Sequence, residues 1–321
     1  MPLIRRCAPP SPWGEGFGLA SSRETWYDNK KGRWKEMDYV NCTLCPRQCG
    51  VDRLAGEQGY CGAPAEAMVA KAMLHQWEEP VLAGSGGSGA IFFGGCTLGC
   101  AYCQNRAISG AAVGKAMDSR GLRLLMEDLI ARGAENIDLV TPTHYLPTIL
   151  PALEPKLPVP VVYNCGGYER PETIRALAGK VDIYLPDLKY AEESLAAALS
   201  GAGDYFEVAA AAIREMVAQV GAPKWNGEKL KSGVIVRHLI LPGHVENSLK
   251  VLDWLGETFA PGEILVSLMR QYTPMPGLSA PLDRTVTEDE YQAVLSWMML
   301  NDLEGFTQEA EAADAGFIPD F

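Results

Sequence analysis

The 321-residue sequence lacks the features that place a protein in a membrane or on nucleic acid. No apolar run approaches the roughly 20 residues of a membrane-spanning helix. Ala8-Pro9-Pro10 stands where an export signal would have its apolar core. The net charge is −12, with no basic block beyond Lys30–Lys31 to neutralise phosphates, which disfavours tRNA and DNA. We therefore expect a cytoplasmic protein without nucleic-acid or membrane partners.

Disulfide bonds are also not expected, although the chain has nine cysteines. Without an export signal the compartment is reducing, and cysteines separated by two or three residues are then typical of metal ligands. Seven of the nine form two such clusters, namely Cys42, Cys45, Cys49 and Cys61, and Cys96, Cys100 and Cys103. We expect the other two, Cys7 and Cys165, to be free and buried.

Apolar runs alternate with helical patterns along most of the chain. Strands are predicted over residues 90–94, 137–141, 159–164, 181–186, 234–241 and 263–269, and helices over 120–132, 169–178, 206–220, 247–257 and 288–300. This alternation is typical of βαβ units, so the class is α/β with a parallel sheet, either a partial barrel or an open doubly wound sheet.

The chain divides into three predicted segments. Residues 1–83 form an N-terminal extension that contains a cysteine-rich knot at 42–61 and one short helix near Ser21–Lys30. Residues 84–285 form the α/β body, and residues 286–321 form a C-terminal helix with an acidic tail.

Polar residues follow the predicted strands. In parallel α/β folds the functional groups lie in the loops after the strands. Here those loops begin near residues 95, 142, 165, 187, 242 and 270, so we expect one rim to be the active face. His144, His244 and Cys165 lie in these loops and are candidates for catalytic roles, with solvated loop histidines as the alternative for the two imidazoles.

The loop after the first strand of the body reads GGCTLGCAYCQN. Three thiolates with a C-x3-C-x2-C spacing hold three irons of a four-iron cluster and leave the fourth iron open to a chelating ligand. A zinc site or a disulfide is the alternative, but zinc sites favour four ligands and this loop has three cysteines and no nearby histidine. With Tyr102 just before the last cysteine, the loop resembles the signature of the radical S-adenosylmethionine (radical SAM) superfamily.

Residues 40–280 resemble the glycyl-radical-enzyme activating branch of that superfamily, in particular uncharacterised proteins similar to pyruvate formate-lyase activating enzyme. The resemblance implies a partial (β/α)6 barrel, a 4Fe-4S cluster on the three-cysteine loop, and reductive cleavage of S-adenosylmethionine to a 5′-deoxyadenosyl radical. It further implies hydrogen abstraction from a protein or peptide, and an electron donor such as flavodoxin or ferredoxin. The alternatives are a small metabolite as substrate, or a non-catalytic electron-transfer or metal-carrier protein.

The resemblance also implies which residues bind the cofactor. Tyr102 packs against adenine, and Asn164 lines the ribose or methionine side. Asp187 and Lys189 match a D-x-K motif that reaches the methionine end, and Arg237 matches an arginine on the fifth strand. Without the resemblance, the simpler interpretation of Asp187 and Lys189 is a surface ion pair.

One element departs from the family pattern. Relatives commonly have G-G-E after the second strand, whose polar groups take the methionine amino group, whereas this chain has TPTHY at residues 141–145. Hydroxyl and backbone carbonyl oxygens can accept hydrogen bonds from an ammonium group. Thr141 and Thr143 are therefore expected to substitute.

The first cysteine cluster follows a C-x2-C-x3-C-x11-C pattern. Four thiolates bind tetrahedral zinc, a rubredoxin-like iron or a second iron–sulfur cluster, and the spacing leaves these possibilities open. Gly50, Gly56, Gly59 and Gly62 allow the backbone to turn tightly around a metal. We expect a second site here, filled by zinc or by an iron–sulfur cluster.

Overall fold

The secondary structure is defined for residues 27–28, 33–34 and 39–308 of the computed structural model. The strands are β1 (Tyr27–Asp28), β2 (Arg33–Trp34), β3 (Ala67–His75), β4 (Ser88–Phe93), β5 (Lys115–Met117), β6 (Ile137–Val140), β7 (Val161–Cys165), β8 (Ile183–Pro186), β9 (Lys224–Asn226), β10 (Lys229–Leu239), β11 (Leu265–Met269) and β12 (Gly305–Thr307). The helices are α1 (Pro80–Ala83), α2 (Arg106–Ser109), α3 (Ser119–Ala131), α4 (Leu146–Ala152), α5 (Pro171–Arg175), α6 (Glu193–Ser200), α7 (Tyr205–Val220), α8 (Val245–Thr258) and α9 (Glu288–Leu300). One 3-10 turn covers Thr143–Tyr145.

Six parallel strands form the centre of the sheet. They lie side by side in chain order, β4–β6–β7–β8–β10–β11, and each adjacent pair is parallel. A doubly wound sheet reverses its strand order at a switch point, and this sheet does not. The predicted α/β partial-barrel class is therefore confirmed, and the six predicted strands match these six in order.

Strands that the sequence pattern did not predict extend both ends of this arc. β3 pairs with β4 and β5 pairs with β3, both antiparallel, while β12 adds in parallel to β11. β9 and β10 form an antiparallel hairpin. Within the described residues β4 and β11 do not pair with each other, so the barrel is open on that side.

Helix ends follow local chemistry. Asp118 caps α3 by accepting a hydrogen bond from the Gly121 amide at 2.7 Å, and Thr287 and Glu290 form a capping box at the start of α9. α5 is shorter than the predicted helix over 169–178, because Pro171 occupies its first turn and leaves Glu169 in the preceding loop.

The parallel strands are buried on both faces, as covered parallel sheets are. All residues of β4, β7, β8 and β11 are buried, and an apolar cluster that includes Val162, Ile183 and Ile235 packs between sheet and helices. Polar residues also occur in this interior, among them Asp138 on β6, and they lead into the site described below.

The chain separates into two compact units, residues 1–35 and 36–321. In the first, β1 and β2 pair antiparallel. Tyr27–Asp28 is thus strand, while the rest of the helix predicted near Ser21–Lys30 lies outside the described residues, as do Cys7 and residues 309–321 of the acidic tail. Among the described residues, none of the helices is long and apolar enough to cross a membrane.

Candidate active site

A cavity of about 230 Å³ lies at the carboxyl ends of the parallel strands. The loops after β4, β6, β7 and β8 line it, together with side chains from β10 and β11. All cluster and cofactor residues predicted on this rim contribute to the lining, namely Cys96, Cys100, Cys103, Tyr102, Thr141, Thr143, Asn164, Asp187, Lys189 and Arg237. Cys165 is also part of it.

The two histidine candidates are not among the described residues that line the cavity. His144 is buried and donates from Nε2 to the Gly94 carbonyl oxygen at 2.9 Å, and burial lowers its pKa to about 4. His244 is half-buried at the N-terminus of α8. Catalytic roles for His144, His244 and Cys165 stay predictions.

The three-cysteine loop begins just after β4 at Gly95, where both the backbone conformation and the lack of room for a side chain require glycine. Gly95 has φ of 84°, and a Cβ atom there would lie 2.7 Å from the Cys61 carbonyl oxygen. Only glycine adopts this conformation at low cost so close to another backbone. Further along, the Leu98 amide donates to Cys96 Sγ at 3.4 Å. The loop therefore contacts the knot at Gly95 and makes an internal hydrogen bond to the Cys96 sulfur.

Burial governs the protonation of these thiols. It raises the pKa of Cys96 to about 11 and raises that of Cys100, where Lys189 opposes the shift. Metal ligation requires thiolates, so a bound cation would reverse this preference. Three sulfurs on one cavity wall suit iron–sulfur chemistry. No three His, Cys, Asp or Glu side chains in the described part of the chain converge on a position for a single metal ion.

A buried ion-pair network forms another part of the cavity wall. Asp187 accepts from Lys189 Nζ at 2.5 Å and from Arg237 Nε at 2.8 Å, and Arg237 Nη2 donates to Asn164 Oδ1 at 2.6 Å. Burial would raise the pKa of Asp187, but the two cations outweigh burial and hold that pKa below its ordinary value. Asp187 and Lys189 are therefore not the surface ion pair that was the simpler interpretation of the sequence. Together with Arg237, their side chains are at most 17% exposed.

Three further carboxyl groups lie behind this network, and the sequence did not single them out as site residues. Asn164 Nδ2 donates to Asp138 Oδ2 at 3.3 Å, and Glu78 Oε1 lies 3.8 Å from Arg237 Nη1. Burial raises the pKa of Asp138 well above its ordinary value and that of Glu79 to about 7. Burial thus favours the protonated form of Asp138, while Asp187 makes the closer contact with Arg237, at 2.8 Å from its Nε.

Glu169 is the cavity residue that sequence reasoning missed. Its Oε1 accepts from the Thr143 hydroxyl at 2.6 Å and its Oε2 from the Tyr163 hydroxyl at 3.3 Å, with only 1% of the residue exposed. In residues 39–308 no cation neutralises it, and burial raises its pKa to about 7. Thr143 lines the cavity and donates to this carboxyl group from the loop after the next strand, and its predicted role in cofactor binding stays a prediction.

Thr141 is strained at the end of β6. Its φ is 58°, an uncommon conformation for a β-branched residue. The strained backbone donates from the Thr141 amide to the Asn164 carbonyl oxygen at 2.8 Å. Such strain concentrates at functional sites, and this residue lines the cavity.

His238 follows Arg237 on β10, so its side chain points to the other face of the sheet. There it hydrogen-bonds the backbone of the Asp187–Lys189 segment. A carbonyl oxygen only accepts, so His238 Nδ1 donates to Leu188 O at 2.6 Å and Nε2 accepts from the Ser248 hydroxyl at 2.8 Å. Burial lowers the pKa of His238 to about 4, which keeps the ring neutral. Asn247 Nδ2 adds a bond to Lys189 O at 3.0 Å. Together these bonds fix the backbone that presents Asp187 and Lys189.

The four-cysteine knot packs beside the three-cysteine loop. Cys42 and Cys45 are buried, Cys61 is half-buried, and Cys49 is exposed with its Sγ accepting from the Tyr60 amide at 3.3 Å. Burial raises the pKa of Cys45 to about 12, and the neighbouring thiols add to the shift. All four cysteines are free thiols, and no three of them converge on a position for one metal ion. The second metal site on these cysteines stays a prediction.

Comparisons with known proteins bear on this arrangement. An uncharacterized protein from Methanocaldococcus jannaschii is 29% identical over 247 residues, which is 74% of this chain and 67% of that protein. No protein-family model matches the chain.

Solved structures with a similar fold share little sequence with this chain. A radical SAM methyltransferase from Sphaerobacter thermophilus aligns over 68% of this chain and 65% of its own at 13% identity, with a TM-score of 0.49. SuiB from Streptococcus suis, bound to S-adenosylmethionine, aligns over 68% of this chain and 49% of its own at 14% identity, with a TM-score of 0.46. A domain of pyruvate-formate lyase-activating enzyme from Bacteroides vulgatus aligns over 47% and 82% at 12% identity, with a TM-score of 0.34. The chain spans less than two thirds of the length of the first two proteins.

Proposed function

We propose that this chain is a radical SAM enzyme whose 4Fe-4S cluster is held by Cys96, Cys100 and Cys103. The observation that carries the proposal is the cavity, which brings these cysteines together with groups suited to an amino acid and a nucleoside. When bound, the cluster supplies the electron that cleaves S-adenosylmethionine reductively. The remaining work falls to the chain's own side chains.

The charges on the cavity wall match the methionine part of S-adenosylmethionine. Lys189 and Arg237 are donors for its carboxylate, while Glu169 is an acceptor for its ammonium group. Tyr102 offers a buried aromatic ring beside Tyr190 and Tyr272 against which adenine can pack. Because donors and acceptors are fixed by the networks behind them, the ligand is oriented without rearrangement of the site.

The proposed test is anaerobic reconstitution of the full chain. We expect reduced, iron-loaded protein to form 5′-deoxyadenosine from S-adenosylmethionine, and S-adenosylmethionine to change the EPR signal of the reduced cluster. Cys100→Ser is expected to lose the cluster, whereas Cys165→Ser, which alters a thiol in the same cavity outside the C-x3-C-x2-C loop, is expected to keep it. Full iron loading without 5′-deoxyadenosine, and with an unchanged EPR signal, would instead support an electron-transfer or metal-carrier protein.

For the substrate we propose a protein or peptide, with flavodoxin or ferredoxin as the electron donor. The support is the resemblance of residues 40–280 to activating enzymes. Deuterium transfer into 5′-deoxyadenosine from labelled candidates tests it. Transfer from a small metabolite in the absence of any polypeptide partner would overturn the peptide assignment and leave the cofactor chemistry intact.

For the knot we propose a bound metal, zinc or iron–sulfur, on Cys42, Cys45, Cys49 and Cys61. The support is four free thiols within one short segment, at spacings typical of metal ligands. Elemental analysis of protein purified without added metal distinguishes zinc from iron. Absence of both metals in anaerobically prepared protein would remove this assignment.

A further inference from the structure

One knot residue, Arg47, reaches out of the knot and onto the three-cysteine loop. It lies between Cys45 and Cys49 in sequence, and its guanidinium is placed over the Tyr60 ring at 3.9 Å. Arg47 Nε donates to the Thr97 carbonyl oxygen at 3.1 Å. A planar fork with five N–H groups is suited to gripping several carbonyl groups at once.

The same side chain also holds the end of a helix beneath the loop. Arg47 Nη1 and Nη2 donate to the carbonyl oxygens of Gly201 at 2.6 Å and Ser200 at 2.9 Å, where α6 ends. A cation is favourable at a helix C-terminus, where carbonyl groups lack partners. Arg47 is therefore anchored independently of the loop and can impose an orientation on it.

The carbonyl groups that Arg47 grips belong to peptides whose amides face a cluster cysteine. The Thr97 carbonyl and the Leu98 amide form one peptide unit, and the Leu98 amide donates to Cys96 Sγ at 3.4 Å. The next unit joins the Leu98 carbonyl to the Gly99 amide, which also bonds to the Cys96 sulfur. That Leu98 carbonyl accepts from the Tyr60 hydroxyl at 3.1 Å and from Arg47 Nη2 at 3.4 Å.

In a trans peptide the C=O and N–H point in opposite directions, so a donor that fixes the carbonyl also fixes the amide. Hydrogen bonds in series polarise one another, and a cationic donor at the carbonyl makes the amide a stronger donor at the other end. Bonds from amides to sulfur stabilise the more negative, reduced state of an iron–sulfur cluster and so raise its reduction potential.

We propose that Arg47 and Tyr60 are positioning residues by which the knot orients two peptide amides onto Cys96 Sγ and raises the reduction potential of the cluster. This rests on the proposed function, since it requires a cluster on the three-cysteine loop. Whatever the knot binds, its folding is thereby coupled to the redox behaviour of the barrel site.

The test is the midpoint potential of the reconstituted cluster, measured by EPR-monitored redox titration of the full chain. Tyr60→Phe keeps the ring under Arg47 and removes only the hydroxyl, and Arg47→Gln removes the guanidinium. We expect both variants to load iron and to shift the potential to more negative values, with the larger shift for Arg47→Gln, which removes two of the three side-chain bonds to the Thr97 and Leu98 carbonyls.

Two matched controls separate this role from general support. Tyr168→Phe removes a hydroxyl that bonds Asp204, and Arg170→Gln removes a bond from the barrel to the Thr43 carbonyl of the knot; neither bond reaches the three-cysteine loop. Both controls are expected to keep the wild-type potential.

A wild-type potential in an iron-loaded Tyr60→Phe protein would overturn the inference, and this variant decides alone if Arg47→Gln does not fold. An equal shift in the controls would also overturn it. Failure of the proposed function is distinguishable, because then the wild-type protein itself forms no cluster that responds to S-adenosylmethionine.

Discussion

Replacing Glu169 by Gln should stabilise the protein by an amount that grows from about pH 5 to about pH 7. The carboxyl group has a pKa of about 7 in the folded chain, against 4.5 for an ordinary glutamate. Burial raises it, and the Thr143 and Tyr163 hydroxyls oppose the shift only in part. At neutral pH the folded protein therefore either keeps a proton on Glu169 or buries a charge without a cation.

The magnitude follows from proton linkage. Because the folded pKa is raised, the unfolded chain loses its proton near pH 4.5 while the folded chain holds it until about pH 7. Wild-type stability is therefore lost as pH rises through this window. At 1.36 kcal/mol for each pKa unit, the loss relative to a neutral side chain is about 3 kcal/mol, and it is complete above about pH 7. Gln retains an acceptor for the Thr143 hydroxyl and a donor for the Tyr163 oxygen.

Urea unfolding of the cluster-free, reduced protein between about pH 5 and about pH 8 measures this difference. We expect the stability of Glu169→Gln relative to the wild type to increase as pH rises. The control is Glu172→Gln, which replaces an exposed carboxylate in α5 and should show no such trend. The same variant should bind S-adenosylmethionine more weakly, because it lacks the acceptor for the ammonium group. A variant that is less stable than the wild type at every pH would refute the reasoning, since Glu169 would then act as a required charge.

Three other outcomes follow from buried charges and thiols. Asp187→Asn leaves Arg237 and Lys189 buried without their carboxylate, so urea unfolding should show a loss of about 3–5 kcal/mol. His238 has a folded pKa of about 4, so its contribution is complete above the ordinary pKa of 6.5 and is lost as pH falls toward 4; His238→Gln should reduce the acid loss by about 3 kcal/mol in urea unfolding at low pH. Cys45→Ser should lower the metal bound by the knot, measured by elemental analysis, while the cluster content on the three-cysteine loop is retained.

The controls for these outcomes lie close by. Glu127→Gln disrupts an exposed pair with Arg123 and should change stability by less than about 1 kcal/mol, against which the loss for Asp187→Asn is judged. If Asp187→Asn loses no more stability than Glu127→Gln, solvent rather than the Asp187 carboxylate would be compensating the charges of Lys189 and Arg237. Cys165→Ser serves as the thiol control for the knot, and an equal loss of metal from both variants would contradict a knot-specific site.

The fold was predictable because its strands are short apolar runs bounded by turns. Runs such as 137–141 and 181–186 are buried on both faces and carry strong β signals, so order and direction followed from alternation with helices. β3 and β5 were not predictable in the same way. β3 is half-buried along most of its length and lacks clean alternation, and it becomes a strand by pairing with β4.

The site residues were predictable from the sequence only where a recognisable motif lies on a strand or just after its end. Asp187 and Arg237 follow or lie on well-formed strands, and both line the cavity. Glu78 and Glu79 precede β4 by about ten residues in a segment with no periodic pattern, and they reach Arg237 only through tertiary packing. Arg47 is one basic residue among turn residues, and nothing local indicates that its partners are 50 and 153 residues away.

Glu169 shows how a carboxyl group beside one loop can come from the neighbouring loop. β6 and β7 are adjacent and parallel, so the loops after them leave the sheet at the same rim. A carboxylate needed beside Thr143 can therefore come from either loop, and the Thr143 hydroxyl holds the one that comes from β7. Sequence comparison along one loop does not detect a carboxyl group that the neighbouring loop brings to the cavity. If Glu169 does accept the ligand's ammonium group, what the barrel preserves is the charge at the rim, and the strand that delivers it is free to change.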